Sequence, residues 1–223
     1  KSLQVIALLE ALFIHCNLKT AIILSPLNAC DNWSNEFDEW IPSKSVNVFK
    51  ISDKTISKME RKKNVEQWFD IGGVLIISYT LFRALLQPNA KYSETYSMSM
   101  KYTLQDPGPQ ILICDEGHMI KNFKSQISEV LKFIKTRRRI ILTGTPLQNN
   151  LMEYYYMVNL VNPGILSNSK NFSRRFCIPI SKGQLIDASQ EAVSWMKKRC
   201  AVLHRILKPF VQRKDFTALL PYL

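Results

Sequence analysis

Five short stretches of almost unbroken Ile, Val and Leu, at residues 20–24, 46–51, 74–78, 111–114 and 139–142, punctuate the first two thirds of the chain. Continuous apolar runs, as opposed to alternating ones, mark strands covered on both faces, which is how parallel sheets are built. Between them lie segments with helical spacing at residues 3–15, 28–40, 57–69, 79–86 and 125–134. The alternation predicts βαβ crossovers and a doubly wound, mainly parallel α/β sheet, with ligand sites just past the carboxyl ends of its strands. Residues 87–110, polar and closed by Asp106-Pro107-Gly108-Pro109, read as a surface insertion or long loop. After residue 142 the strands stop, and helical periodicity returns at 151–161, 170–176, 190–203 and 205–218. The expected division is a lobe over residues 1–150 and a helical, basic annex over residues 151–223.

Composition narrows the class without naming a chemistry. With 223 residues, 46% hydrophobic and 22% charged, the chain can bury a substantial core. No apolar run approaches the roughly 20 residues of a membrane-spanning helix, so no membrane partner is expected. The N-terminus lacks the plan of a secretory signal, although a chain starting at Lys1 leaves its true start open. Five cysteines without a Cys-x-x-Cys pair argue against a disulfide framework or zinc ribbon and fit a reducing compartment. The pairs Cys114/His118 and Cys200/His204 fall short of the four ligands structural zinc needs.

Charge is placed unevenly. Residues 1–114 carry 12 Lys/Arg against 11 Asp/Glu, whereas residues 115–223 carry 18 against 7. The clusters are Arg137-Arg138-Arg139, Arg174-Arg175, Lys197-Lys198-Arg199 and Arg213-Lys214. A polyanion partner or a solvated helix face explains them equally well on charge alone.

Candidate chemistry lies at the ends of the apolar runs. The fourth run opens directly into Asp115-Glu116-Gly117-His118. In P-loop NTPases an Asp in this place helps hold the hydrated Mg²⁺ on the nucleotide phosphates, and the Glu beside it can deprotonate the attacking water. A helix N-terminus that favours acidic residues is the plain alternative. The fifth run opens into Thr143-Gly144-Thr145-Pro146, where hydroxyls could bond the preceding carboxylates. The chain begins with Lys1-Ser2 before an amphipathic helix, the ending of a phosphate-binding loop whose glycines do not precede it here. Trp33, Trp40, Trp68 and Trp195, and the run Tyr154-Tyr155-Tyr156, read as packing residues.

Taken together, Asp115-Glu116-Gly117-His118, Leu142 to Asn150, and Leu24-Ser25-Pro26-Leu27-Asn28 through Asn32-Trp33-Ser34-Asn35-Glu36-Phe37 resemble motifs II, III and Ia of the SWI/SNF-like helicase group, in order and spacing. Residues 74–85, around Ser78-Tyr79, resemble motif Ib, and Lys1-Ser2 a partial motif I. Gly117 where Ala is usual, the Asp106-Pro107-Gly108-Pro109 run, the Arg137-Arg138-Arg139 cluster and residues 211–219 are most similar to the ATRX subfamily. The resemblance implies a RecA-like (P-loop NTPase) first lobe of an ATP-dependent double-stranded DNA translocase that remodels chromatin in the nucleus. By the same resemblance Lys1, Ser2, Asp115, Glu116 and His118 would serve ATP, with Ser2 and Asp115 on Mg²⁺ and Glu116 and Asp115 catalytic. Thr143, Gly144 and Thr145 would couple hydrolysis to movement, and Ser25, Pro26, Ser78 and Tyr79 would line the DNA track. Hydrolysis would further need an arginine finger from a second lobe, so this lobe alone is expected to be inactive. The competing expectation is a non-catalytic DNA- or chromatin-binding module that lacks a complete phosphate loop.

Overall fold

The computed structural model describes residues 1–51, 57–87, 93–120, 125–144 and 150–214. Its strands are β1 (Thr20–Ser25), β2 (Val48–Ile51), β3 (Gly73–Ser78), β4 (Ile111–Cys114) and β5 (Arg139–Ile141). They form one sheet in the order β2-β3-β1-β4-β5, paired in parallel throughout. Every residue of β1, β3 and β4 is buried, while β2 and β5 at the edges are only partly so. That gradient explains why the three central strands carry the purest Ile/Val/Leu runs.

Side chains alternate between the two faces. Ala21, Ile23, Val74, Ile76, Ile111 and Ile113 pack against Val5, Ile6 and Leu9 of α1 (Ser2–His15) and Trp33 and Phe37 of α2 (Cys30–Trp40). Ile22, Leu24, Leu75, Ile77, Leu112 and Cys114 face the opposite way. There they meet α3 (Lys58–Ile71), α4 (Tyr79–Leu86), α5 (Glu94–Leu104) and α6 (Gln126–Lys132). The doubly wound expectation thus holds, with the period-two register of each strand feeding two separate cores. Between α3 and β3 the chain turns at Gly72 and Gly73, with φ of +88° and +129°. A Cβ on Gly73 would lie 2.3 Å from Asn47 O, the carbonyl that accepts the Val74 N–H at 2.8 Å.

Beyond β5 follow α7 (Leu151–Val161), α8 (Ser169–Phe172), α9 (Ile178–Gly183) and α10 (Gln190–Leu207), with a π-helical turn over Ser173–Cys177 joining α8 to α9. Their shared core is Tyr155, Val158, Leu166, Phe172, Phe176, Ile180, Leu203 and Leu207. The rings of Tyr155, Phe172 and Phe176 succeed one another at 5.0 and 5.3 Å between centroids.

Three sequence expectations are corrected. Residues 87–110 are not a plain loop, because α5 lies within them, capped by Ser93 Oγ on the Tyr96 N–H. Its buried residues Tyr96, Met100 and Leu104 recur every four positions, a stripe obscured in the sequence by the intervening Ser, Thr and Lys. The helix expected at 190–203 runs on without a break to Leu207, into the segment expected as a separate helix at 205–218, because Leu203 and Leu207 share a buried stripe across the expected break; residues 215–218 lie outside the described residues. Residues 211–214 are irregular. Finally, Arg139 does not join Arg137 and Arg138 on the surface. Its guanidinium donates to the carbonyls of Ile134 at 2.6 Å, Thr136 at 2.9 Å and Leu160 at 3.0 Å, tying β5 to the chain ends of α6 and α7.

Candidate active site

Parallel pairing brings the carboxyl ends of all five strands to one edge of the sheet. At that edge β1 leads away toward β2 on one side and β4 toward β5 on the other, so the junction of β1 and β4 is the topological switch point. Asp115 occupies it. Its N–H donates to Leu24 O at 2.8 Å, and the neighbouring Leu142 N–H donates to Cys114 O at 2.8 Å. The Tyr79 hydroxyl, from the start of α4, donates to the Asp115 carbonyl at 2.6 Å.

The Asp115 carboxylate is fixed at both oxygens. Oδ1 accepts the Glu116 N–H at 2.9 Å, and Oδ2 accepts the indole N–H of Trp33 at 2.8 Å. Glu116 adopts φ of +49°, a left-handed conformation costing a non-glycine residue about 1–2 kcal/mol. The strain turns the chain sharply out of β4 into the 3₁₀ turn Gly117–Ile120, in which Met119 N–H returns to Glu116 O at 2.9 Å. Both carboxylates remain half-exposed, and His118 Nδ1 lies 3.1 Å from Glu116 Oε2.

Gly117 is needed for close packing. Its N–H donates to Leu142 O at 2.8 Å, and a Cβ there would sit 2.4 Å from Ile141 Cγ2 and 3.3 Å from Met157 Sδ. One strand further, a Cβ on Gly144 would come 3.4 Å from Lys1 Nζ. The first residues of the chain, the end of β4 and the end of β5 therefore converge. Ser2 opens α1, whose first turn has no side-chain cap to occupy its free N–H groups. Thr143 is half-buried beside Gly144, and Thr145 lies outside the described residues.

The residues expected along a DNA track are placed differently from an open contact surface. Ser25 is fully buried, its Oγ 3.1 Å from Cys30 Sγ. Ser78 is buried as the cap of α4, accepting the Leu81 N–H at 3.1 Å, and Tyr79 is buried on Asp115. Pro26 is half-exposed, and Leu27, Asn28 and Thr80 beside these positions are exposed. Burial also governs the thiol behind the site: Cys114 is pushed up to about 12 by desolvation, and the Tyr79 hydroxyl is raised well above its ordinary value by the same cause.

The sequence reading of Trp33 as a packing residue within the motif Ia resemblance misses its bond to Asp115. The available signal was a buried indole, whose N–H has to find an acceptor, on the helix that follows β1. Trp68 behaves similarly, donating to Gly73 O at 2.9 Å. Trp40 and Trp195 depart from the packing expectation, being 46% and 54% exposed. Trp195 carries the Arg199 guanidinium 4.8 Å from its ring centre.

The donor set at the strand edge fits a magnesium nucleotide. Mg²⁺ takes one or two protein oxygens and otherwise phosphates and waters, so it does not require a cage of protein ligands. Among the described residues no cluster of three His, Cys, Asp or Glu is present, whereas one oriented carboxylate, one ammonium and a free helix N-terminus are.

Comparison with known proteins is extensive. The family described as SNF2-related domain matches residues 1–222. The chain is 41% identical over 228 residues to the human (Homo sapiens) transcriptional regulator ATRX, covering 100% of this chain and 9% of that protein. It is 38% identical over 229 residues to the Drosophila melanogaster ATRX homolog, covering 100% of this chain and 18% of that protein. With the Arabidopsis thaliana protein CHROMATIN REMODELING 20 it shares 42% identity over 219 residues, 96% of this chain and 15% of the relative. The backbone is similar to the Sulfolobus solfataricus SWI2/SNF2 ATPase core in complex with dsDNA, with a TM-score of 0.66 at 22% identity over 96% of this chain and 37% of that one. This likeness shows a shared fold. The chain spans between 9% and 18% of the length of these three curated relatives.

Proposed function

Since the chain belongs to the SNF2-related domain family, we propose that it is the first ATP-binding lobe of an ATRX-like, DNA-dependent ATPase that translocates on duplex DNA and remodels chromatin in the nucleus. The observation that carries this reading is the convergence of Lys1, Asp115 and Gly144 at one sheet edge, with Lys1 Nζ 3.4 Å from the Cβ position of Gly144 and Asp115 aimed by two N–H donors.

In this reading Lys1 neutralises the β- and γ-phosphates, and the N–H groups of the first turn of α1 receive phosphate oxygens. Ser2 and Asp115 hold Mg²⁺, which when bound supplies charge neutralisation between the phosphates. Glu116, half-exposed and turned outward by its left-handed backbone, takes the proton of the attacking water. His118 keeps the Glu116 carboxylate from swinging away. Thr143, Gly144 and Thr145 couple the state of the phosphates to movement along DNA. Duplex DNA and nucleosomes are the partners of the whole protein. Because the Ser25, Ser78 and Tyr79 side chains are spent inside the lobe, the turn after β1 and the first turn of α4 grip the DNA backbone through their amides and through exposed neighbours such as Asn28 and Thr80.

The test is Glu116→Gln in the full-length protein. DNA-stimulated ATP hydrolysis is expected to fall to background while nucleotide binding persists. Hydrolysis at the unmodified rate would refute the assignment of the base, and absence of any nucleotide binding by the unmodified protein would favour a non-catalytic binding module.

A further inference from the structure

We propose that Trp33 is a positioning residue for the metal-binding carboxylate: its indole N–H, on Asp115 Oδ2 at 2.8 Å, fixes the plane in which Asp115 is presented to magnesium. The proposal rests on the ATPase reading above and adds a residue to it.

Without that bond only Oδ1 is held, by the Glu116 N–H at 2.9 Å, and a single bond resists rotation of the carboxylate about its last side-chain torsion. With it, both oxygens are oriented and each keeps a lone pair for a cation. Trp33 suits this task because it is buried in the core. Its ring is 3% exposed and packed between α1 and the sheet, among Val5, Ile6, Leu9 and Phe37. A rigid, desolvated donor to an anion is an outer-shell contact of the kind that sets metal affinity at other sites. The backbone of Asp115 is held from the opposite face of the sheet, by the Tyr79 hydroxyl on its carbonyl at 2.6 Å. Two aromatic residues, from the helices that follow β1 and β3, thus secure one acid, one by its side chain and one by its main chain.

A residue that only filled space would serve as well with a phenyl ring. The experiment is therefore isothermal titration of the full-length protein with the β,γ-imido analogue of ATP, in Mg²⁺ and again in EDTA. It is applied to the unmodified protein, to Trp33→Phe, and to a variant carrying benzothienylalanine at position 33, which keeps the two-ring shape and loses only the N–H. The expected result is a loss of roughly 10- to 100-fold in the Mg²⁺-dependent tightening in both variants, with the metal-free affinity unchanged. In an Asp115→Asn background the same substitutions are expected to add nothing further. Full retention of the Mg²⁺ effect in the benzothienyl variant overturns the proposal, as does an equal loss with and without the metal, which would mean that Trp33 acts through packing. If the unmodified protein binds the analogue in neither condition, it is the ATPase reading that fails.

Discussion

Arg139→Met removes a guanidinium whose three carbonyl partners lie at the end of the α6 segment (Ile134), in the turn before β5 (Thr136) and in the last turn of α7 (Leu160). Hydrogen bonds from a charged donor contribute about 1.5–3 kcal/mol each, but the three cannot simply be added. Burial opposes the charge, as the lowered pKa of Arg139 records, and part of each bond offsets that desolvation. Water can also reach some of the released carbonyls, because the site is only half-buried. The expected net loss is about 3 kcal/mol, localised where α6, β5 and α7 meet. Hydrogen exchange of the full-length protein, followed by mass spectrometry on peptides covering residues 126–135 and 151–162, reads this directly. Amides there should exchange roughly a hundredfold faster if they open together, with no change in α1 or α2. Arg138→Met, at an exposed neighbour, should stay within about 0.5 kcal/mol of the unmodified protein. Equal exchange in the two variants would refute the idea that Arg139 is a structural clasp.

Gly117→Ala places a methyl 2.4 Å from Ile141 Cγ2 and should cost about 1–3 kcal/mol, read as a lower midpoint of thermal unfolding. Ile141→Ala in the same chain should recover part of that loss, whereas independent losses would show that the clash is not with Ile141. Stability should fall on the alkaline side through Cys114: its thiol ionises near 9.0 when unfolded and near 12 when folded, so the folded state retains a proton that the unfolded state releases. That contribution is complete below pH 9 and erodes up to pH 12, at no more than about 1.4 kcal/mol per pH unit. Cys114→Ala should flatten the slope in denaturant titrations across this window. For the same reason Cys114 should resist alkylation under native conditions while the exposed Cys16 and Cys200 react, as peptide mapping after brief iodoacetamide treatment would report.

Much of the sheet is legible because buried parallel strands confine their polar residues, Thr20, Ser25 and Ser78, to the strand ends. Residues 111–114 coincide with β4, and the edge strands β2 and β5 are shorter than the expected 46–51 and 139–142 by two residues and one. What escaped was decided in three dimensions. Tyr96, Met100 and Leu104 form a buried stripe only because α3 and α4 lie beneath it, and ETYSMSMKYTL shows too little apolar character for that to be seen beforehand. Arg139 reads in the sequence as one of three clustered arginines, although the fifth apolar run begins with it. Its inward turn follows from its place in β5, where the carbonyls of Ile134, Thr136 and Leu160 come within reach. In the site, position after a strand was enough to single out Asp115 and Glu116, but which groups orient Asp115 depends on a helix 82 positions away in the chain.

The distribution of positive charge acquires a direction once these placements are known. Arg137 and Arg138 precede β5 and therefore stand at the amino edge of the sheet, about 10 Å or more from the carboxyl ends where phosphates would bind. With Arg139 internal, that cluster lies away from the proposed nucleotide site. The remaining excess lies on the helical segments after β5: Arg174 and Arg175 in the π-helical turn, and Lys197, Lys198 and Arg205 on α10, all exposed. A sequence-independent grip on a phosphate backbone calls for cations spread over a surface, which these helices offer, whereas nucleotide chemistry calls for a few groups held rigidly at a strand end, as at Asp115. Under the proposed reading the two demands fall on different parts of one chain, and the excess positive charge of its second half suits the first of them.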